Sequence, residues 1–183
     1  PGEAAALRWL AEAEPLGGLR VVRVLSVTEE ELVEERVETG SPSASAARRI
    51  GAALARTHAA GAPWFGCAPA GWSGDPWCGR ARTPYVMRED ASDAWGSFFA
   101  EHRIMNYVRV LVDRGDFDDW EAAVLERVAG RLFAGEFDAP QPALVRSSGL
   151  PCARLHGDLW AGNVLWDAVC AAPTGGVLID PMA

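Results

Sequence analysis

The chain has 183 residues, 49% of them hydrophobic, with 25 acidic side chains against 17 basic ones and a formal net charge of −8. That size and apolar content can fill one domain or two small lobes. The acidic surplus argues against a basic face tracking a phosphate backbone, so nucleic acid is not an expected partner. No run of about eighteen apolar residues occurs, and Pro1 opens neither a basic nor an apolar leader, so no membrane span is expected. The chain reads as a cytoplasmic excerpt of a longer protein. All 17 bases are arginine. Cys67, Cys78, Cys152 and Cys170 lack metal-ligand spacing, and His58, His102 and His156 are dispersed. Idle thiols in a reducing compartment are expected rather than zinc or disulfides.

In chain order, "EAAALRWLAEA" places Ala6, Leu7, Leu10 and Ala13 near helical spacing. The β-branched runs "RVVRVLSV" and "EELVEERV" follow as two strands about a polar turn. After "ETGSPSAS" the texture turns helical, with Ser41 expected as N-cap, Pro42 at the first helical position, an Ile50–Leu54–His58 stripe and Gly61 as the stop. Residues 61–90, rich in Gly, Pro and Trp, read as an ordered loop. Ser92 is expected to cap a long helix whose apolar face runs from Trp95 through Phe98, Phe99, His102, Met105, Val108 and Leu111 to Val112, ending at Gly115. A further helix spans about Asp118 to Ala134 with Val124, Leu125, Val128 and Leu132 on its apolar face, and "EFDAPQPALVRSSGLP" is read as a loop.

The last thirty residues carry the chemistry. "CARLH" enters a turn, "GDLWAG"; "NVLW" is a short strand, "DAVCAAPTGG" a hairpin-like connection, and "VLID" a buried strand ending on Asp180. Phosphoryl transfer needs a carboxylate to take or orient the proton of an attacking hydroxyl, plus oxygen ligands for Mg²⁺ on the nucleotide phosphates. Asp158, Asn163 five residues on, and Asp180 on the later strand supply that set at the H-R-D-x-x-x-x-N spacing of kinases, with Gly157 in place of the Arg. His156 either hydrogen-bonds the loop backbone or acts on protons.

"LHGDLWAGNVLW" followed by "GVLIDP" resembles the fructosamine kinase (ketosamine-3-kinase) family, which the Trp after H-G-D-L, here Trp160, sets apart from aminoglycoside phosphotransferases and choline kinases. The resemblance extends upstream through "AWGSFFAEHRIMNYVR", "ALARTHAAGAPWFG" and "EAAALRWL". It implies an α+β, protein-kinase-like two-lobed fold, present in part: residues 1–40 as a remnant of the N-lobe with the hinge, and 41–183 as a mainly helical C-lobe with the catalytic loop and the metal-binding Asp strand. It also implies transfer of phosphate from ATP to the sugar 3-hydroxyl of a ketosamine.

Carried over by residue, the resemblance makes Asp158 the proton acceptor and Asn163 and Asp180 the Mg²⁺ ligands. Glu3 matches the helix glutamate that pairs with a phosphate-binding lysine, and Glu35, Arg36 and Val37 match the hinge whose backbone meets adenine. Trp160, with His156, is expected at the acceptor sugar. Glu34 stands where such kinases carry an apolar pocket residue, so its carboxylate turns away or the hinge register shifts by one. The family's glycine-rich loop and lysine would lie upstream of Pro1. A non-catalytic kinase-like binding module and an aminoglycoside phosphotransferase are the alternatives.

Overall fold

The computed structural model describes residues 1–74, 77–78, 81–168 and 175–182. The first helix, α1 (Gly2–Ala11), buries Ala4, Ala6, Leu7 and Leu10 on one face, as its spacing predicts. The run "RVVRVLSV" is not one strand. Val21 and Val22 are both buried, at 3% and 4% exposure, which the alternation of a flat strand does not allow. The chain turns there. β1 (Arg20–Val21) pairs in parallel with a strand from the far end of the sequence, while β2 (Val24–Val27) pairs antiparallel with β3 (Leu32–Glu34), with a bulge between Val24 and Ser26.

Helix α2 (Ala44–Ala59) starts two residues later than expected, because Ser43 rather than Ser41 accepts the Ala46 amide, at 3.1 Å. Its fully buried residues are the small ones, Ala46, Ala53 and Thr57, with Ile50 packed beside them. Thr57 Oγ1 accepts the Leu19 amide at 2.9 Å, tying α2 to the lead-in of β1. Within the expected loop, β4 (Trp77–Cys78) and β5 (Ala81–Arg82) form a short hairpin. Trp64 Nε1 donates to the Val86 carbonyl at 2.8 Å, joining the two ends of that stretch.

The long helix is interrupted. α3 (Trp95–Phe99) passes through a wider π segment at Ala100–Met105 into α4 (Asn106–Asp113). Each extra residue wound into a helix rotates the following face by about 100°. Val108 stays buried, but Val112, assigned to the same face by spacing, is 41% exposed. Ser92 does not cap the helix. It bonds the Ala94 amide, while the helical Gly96 amide is taken by Asp138 Oδ1 at 2.7 Å from across the fold.

Helix α5 (Asp119–Phe133) opens on a reciprocal capping box between Asp118 and Glu121. It buries Ala122, Ala129 and Leu132 and leaves Val128 exposed, because small residues let it approach the π segment closely. A single helical turn, α6 (Ala143–Arg146), stands in the stretch read as loop. β6 (Val164–Trp166) and β7 (Gly176–Leu178) then pair antiparallel, with β7 central between β1 and β6. The middle of the connection read as hairpin-like, with Cys170, lies outside the described residues. Leu7, Leu10, Leu19, Val21, Val22, Ala53, Val177 and Leu178 form the core that α1 and α2 share with this sheet. No helix among the described residues is long and apolar enough to cross a membrane.

Candidate active site

The β7 core strand and the turn before β6 meet at one loop unit. Gly157 adopts φ +88°, and a Cβ there would stand 2.6 Å from Met182 Cβ, so Arg cannot occupy the position as it does in other kinase patterns. His156 is 3% exposed. Its Nδ1 accepts the Asp158 amide at 3.3 Å, which leaves the proton on Nε2 to be donated to the Ile179 carbonyl at 2.8 Å. Burial pushes its pKa below the ordinary 6.5, against weaker raising effects from the Ile179 bond and from Asp158 and Asp180. Both ring nitrogens serve the loop backbone, so His156 has no nitrogen left for an acceptor sugar.

Asn163 is 4% exposed and ties the unit together. Its Nδ2 donates to the Asp158 carbonyl at 2.9 Å, to Asp158 Oδ2 at 3.1 Å and to the Asp180 carbonyl at 3.2 Å. The Ile179 amide returns a bond to the Asn163 carbonyl at 3.1 Å. With the amide nitrogen committed, the side-chain oxygen is the atom left to meet a cation. Asp158 and Asp180 are exposed, and Asp180 is the non-glycine residue with positive φ among the described residues, at 52°. That conformation carries the backbone out of β7 and is one that Asp tolerates. One carboxylate and one amide oxygen, both hard donors, suit Mg²⁺ when water and phosphate oxygens complete the shell. No group of three or more His, Cys, Asp or Glu side chains suited to a metal occurs among the described residues.

Two further carboxylates feel the charge of Asp180. Glu3, on the first turn of α1, has its pKa raised by burial and then by Glu34 and Asp180, with the amino terminus opposing. Glu34, the last residue of β3, is raised by burial and by Asp180, and its Oε1 is buried without a hydrogen-bond partner among the described residues. Of the two outcomes expected for Glu34, an outward turn is therefore not the one adopted. Arg20 does not face Glu3: its guanidinium bridges Glu35 Oε1 and Asp167 Oδ2, both at 2.8 Å. Arg8 is exposed on the opposite side of α1 from the buried stripe.

Along the hinge segment, the Glu35 amide donates to the Arg23 carbonyl at 2.9 Å, continuing the β2–β3 ladder, and its carboxylate holds Arg20. Val37 packs against the core, and Arg36 is exposed. Trp160 is 63% exposed and lies over Gly162, whose Cβ would meet the indole at 2.4 Å. Sequence reading missed an apolar cavity of about 510 Å³ behind the loop, walled by Trp9, Trp64, Phe98 and Phe99 and reaching His156 and Met182. The Trp-rich "PWFG" and "AWGSFF" stretches were its signal.

The fructosamine kinase family model matches residues 1–183. A probable ketoamine kinase of Synechocystis sp. is 37% identical over 134 residues, 72% of this chain and 38% of that protein. A probable ketoamine kinase of Escherichia coli K12 is 34% identical over 88 residues, 48% of this chain and 24% of its own. The crystal structure of a Thermobifida fusca protein provisionally named fructosamine-3-kinase matches with a TM-score of 0.75 at 33% identity, covering 98% of this chain and 53% of that one. A Haemophilus somnus structure matches at 19% identity with a TM-score of 0.65, covering 98% and 52%, a likeness of fold alone. The chain spans about half the length of these solved relatives and less of the curated ones. Its mixed helices and small sheets accord with the expected α+β, partial kinase-like fold.

Proposed function

The chain belongs to the fructosamine kinase family, and from that premise we propose that the complete gene product transfers the γ-phosphoryl group of ATP to the sugar 3-hydroxyl of a ketosamine, of fructosamine or ribulosamine type. The observation that carries this reading is the single hydrogen-bonded unit joining Asp158, Asn163 and Asp180. In the reaction the sugar oxygen bonds to the γ-phosphorus, the bond to the ADP oxygen breaks, and the hydroxyl proton passes to Asp158. Asp158 is exposed for that contact, while the Asn163 amide holds one of its oxygens and fixes the direction of the other. Asn163 and Asp180 are the residues that would hold Mg²⁺, which when bound neutralises phosphate charge.

Adenine recognition falls to the backbone beyond β3. Because the Glu35 amide is spent on Arg23, a donor to the purine edge would come from Arg36 or Val37. Trp160 offers an exposed aromatic face two residues from Asp158, suited to the C–H face of a sugar. One observation favours a second reading, a non-catalytic binding module: the inward Glu34 carboxylate beside Glu3 and Asp180 repels phosphate. The test is to incubate the complete gene product with Mg-ATP and a ribulosyl- or fructosyl-amine. ADP release that requires the ketosamine, with a 3-phosphate product by phosphorus NMR, supports the kinase. Mg-ATP turnover absent with every ketosamine supports the module.

A further inference from the structure

Arg154 stands two residues before His156 and four before Asp158, and no role in phosphoryl transfer requires it. It is nevertheless 8% exposed, and its guanidinium is engaged on several sides. Nε donates to the Gly61 carbonyl at 3.1 Å, and Nη1 donates to the Trp9 carbonyl and to Glu12 Oε2, the latter at 2.9 Å. The guanidinium carbon also lies 4.4 Å from the centre of the Trp9 ring. Its own amide bonds the His58 carbonyl at 3.1 Å, and the Ala62 amide bonds the Cys152 carbonyl at 2.9 Å, so the segment that bears it is fixed to the end of α2.

The Trp9 carbonyl lies in the last turn of α1, where carbonyls have no partner within the helix and the helix dipole favours a cation. Arg154 thus caps α1 from a distant part of the sequence. The opposite end of α1 carries Glu3, whose carboxylate is near enough to Asp180 to be repelled by it. His156 binds the carbonyl of Ile179, the residue before Asp180. Hydrogen-bonded and covalent links therefore run from the last turn of α1 through Arg154 to His156 and on to the Ile179 carbonyl. A helix as short as α1 moves as a rigid rod of about 15 Å, so holding its last turn sets the position of Glu3.

We propose that Arg154 is a positioning residue that clamps the last turn of α1 to the segment entering the catalytic loop, so that α1 and the loop bearing Asp158 keep one placement. Swinging α1 away would strip a buried guanidinium of a carbonyl, a carboxylate and an aromatic face together, and such a group keeps its partners. Arg suits the place and Lys does not, because the planar fork reaches the Gly61 carbonyl on one side and α1 on the other. The inference rests on the kinase reading only for its consequence on nucleotide affinity. The clamp itself is a property of the fold.

The experiment is hydrogen exchange on the complete gene product, read separately over α1 and α5, with Mg-ADP titrations of the same proteins. Arg154→Gln should speed exchange of the α1 amides about 10- to 100-fold, the loss of bonds to a charged donor, with α5 unchanged. Mg-ADP affinity should fall about tenfold, and Arg154→Lys should recover part of both. Glu12 is largely exposed, so Glu12→Gln will fold even if the Arg154 variants do not, and it should speed α1 exchange alone by a few-fold. Unchanged α1 exchange in Glu12→Gln and Arg154→Gln overturns the clamp, as does an equal rise in α1 and α5. Faster α1 exchange with unchanged Mg-ADP affinity overturns the positioning role. A wild type that binds no Mg-ADP sinks the kinase reading, while α1 exchange still decides the clamp.

Discussion

Asn163 holds Asp158 at two points, its Nδ2 lying 2.9 Å from the Asp158 carbonyl and 3.1 Å from Oδ2. The five-residue spacing between them is therefore a geometric requirement, since the turn must bring a buried amide under an exposed carboxylate. Asp158 is exposed, so an acceptor hydroxyl can reach its carboxylate. Asp158→Asn keeps an oxygen for that hydrogen bond but removes the base, so ketosamine phosphorylation should fall about 10²- to 10⁴-fold. Mg-ATP binding should stay nearly intact. Steady-state kinetics beside nucleotide titration check this, and a variant retaining half its activity removes Asp158 from the role.

Asp180 answers a different test. Its φ of 52° makes Asp180→Ala ambiguous, since Ala would add strain to the loss of charge. Asn accepts that conformation and keeps the shape. Asp180→Asn should therefore weaken Mg²⁺-dependent nucleotide binding by about tenfold or more, well beyond the effect of Asp158→Asn, with little change in melting temperature. Superimposable Mg²⁺ titrations for wild type and Asp180→Asn would count against the metal role.

The loop unit was legible in the sequence because its function fixes residue type and spacing together: Asp158, Asn163 and Asp180 were placed by pattern and lie in one hydrogen-bonded group. The core face of α1 was legible by periodicity, and the buried strand β7 by its continuous apolar run. Ser43 was confused with Ser41 because both can cap, and the choice depends on where α2 docks. The π segment at Ala100–Met105 left no mark in composition, and neither did the end of the buried face one turn after Val108, where Val112 is exposed. Arg154 was invisible for a simpler reason: a single arginine carries no period, and its partners at Trp9, Glu12 and Gly61 lie far away in sequence.

Trp160 is expected at the acceptor sugar, and at 63% exposure its ring is open to solvent instead of packed in the core. Trp160→Leu should leave melting temperature nearly unchanged and raise the KM for a fructosyl- or ribulosyl-amine with kcat conserved, the signature of lost uniform binding. Gly162 supplies an independent variant. A methyl group there would stand 2.4 Å from the indole, forcing the ring aside without removing it. Gly162→Ala should raise the same KM in the same direction. A change in kcat alone, or several degrees of lost melting temperature in Trp160→Leu, would show that the ring supports the loop instead.

Glu34 predicts a gain. Its carboxylate carries a buried, unpartnered Oε1 beside Asp180, and its folded pKa is raised above the ordinary 4.5 by burial first and by Asp180 second. Between 4.5 and the folded value the native state holds the proton that the unfolded state has released, so stability falls as pH rises through that window. At neutral pH the cost is complete; below pH 4.5 it is absent. Glu34→Met removes the charge while keeping the length of the side chain. It should stabilise the protein by about 1 kcal/mol at pH 7.5, the low end for a stranded polar group because the side chain is only half-buried. That corresponds to about 2–4 °C in melting temperature for a chain of this size. The gain should vanish near pH 4.5. Melting curves of both proteins at the two pH values check the sign, and a gain of equal size at both would mean that packing, not charge, is responsible. The same variant also bears on the two functional readings. If Glu34 repels phosphate strongly enough to make the protein a non-catalytic module, Glu34→Met should create Mg-ADP binding where the wild type has none. If the kinase reading holds, wild type binds already and the variant tightens it.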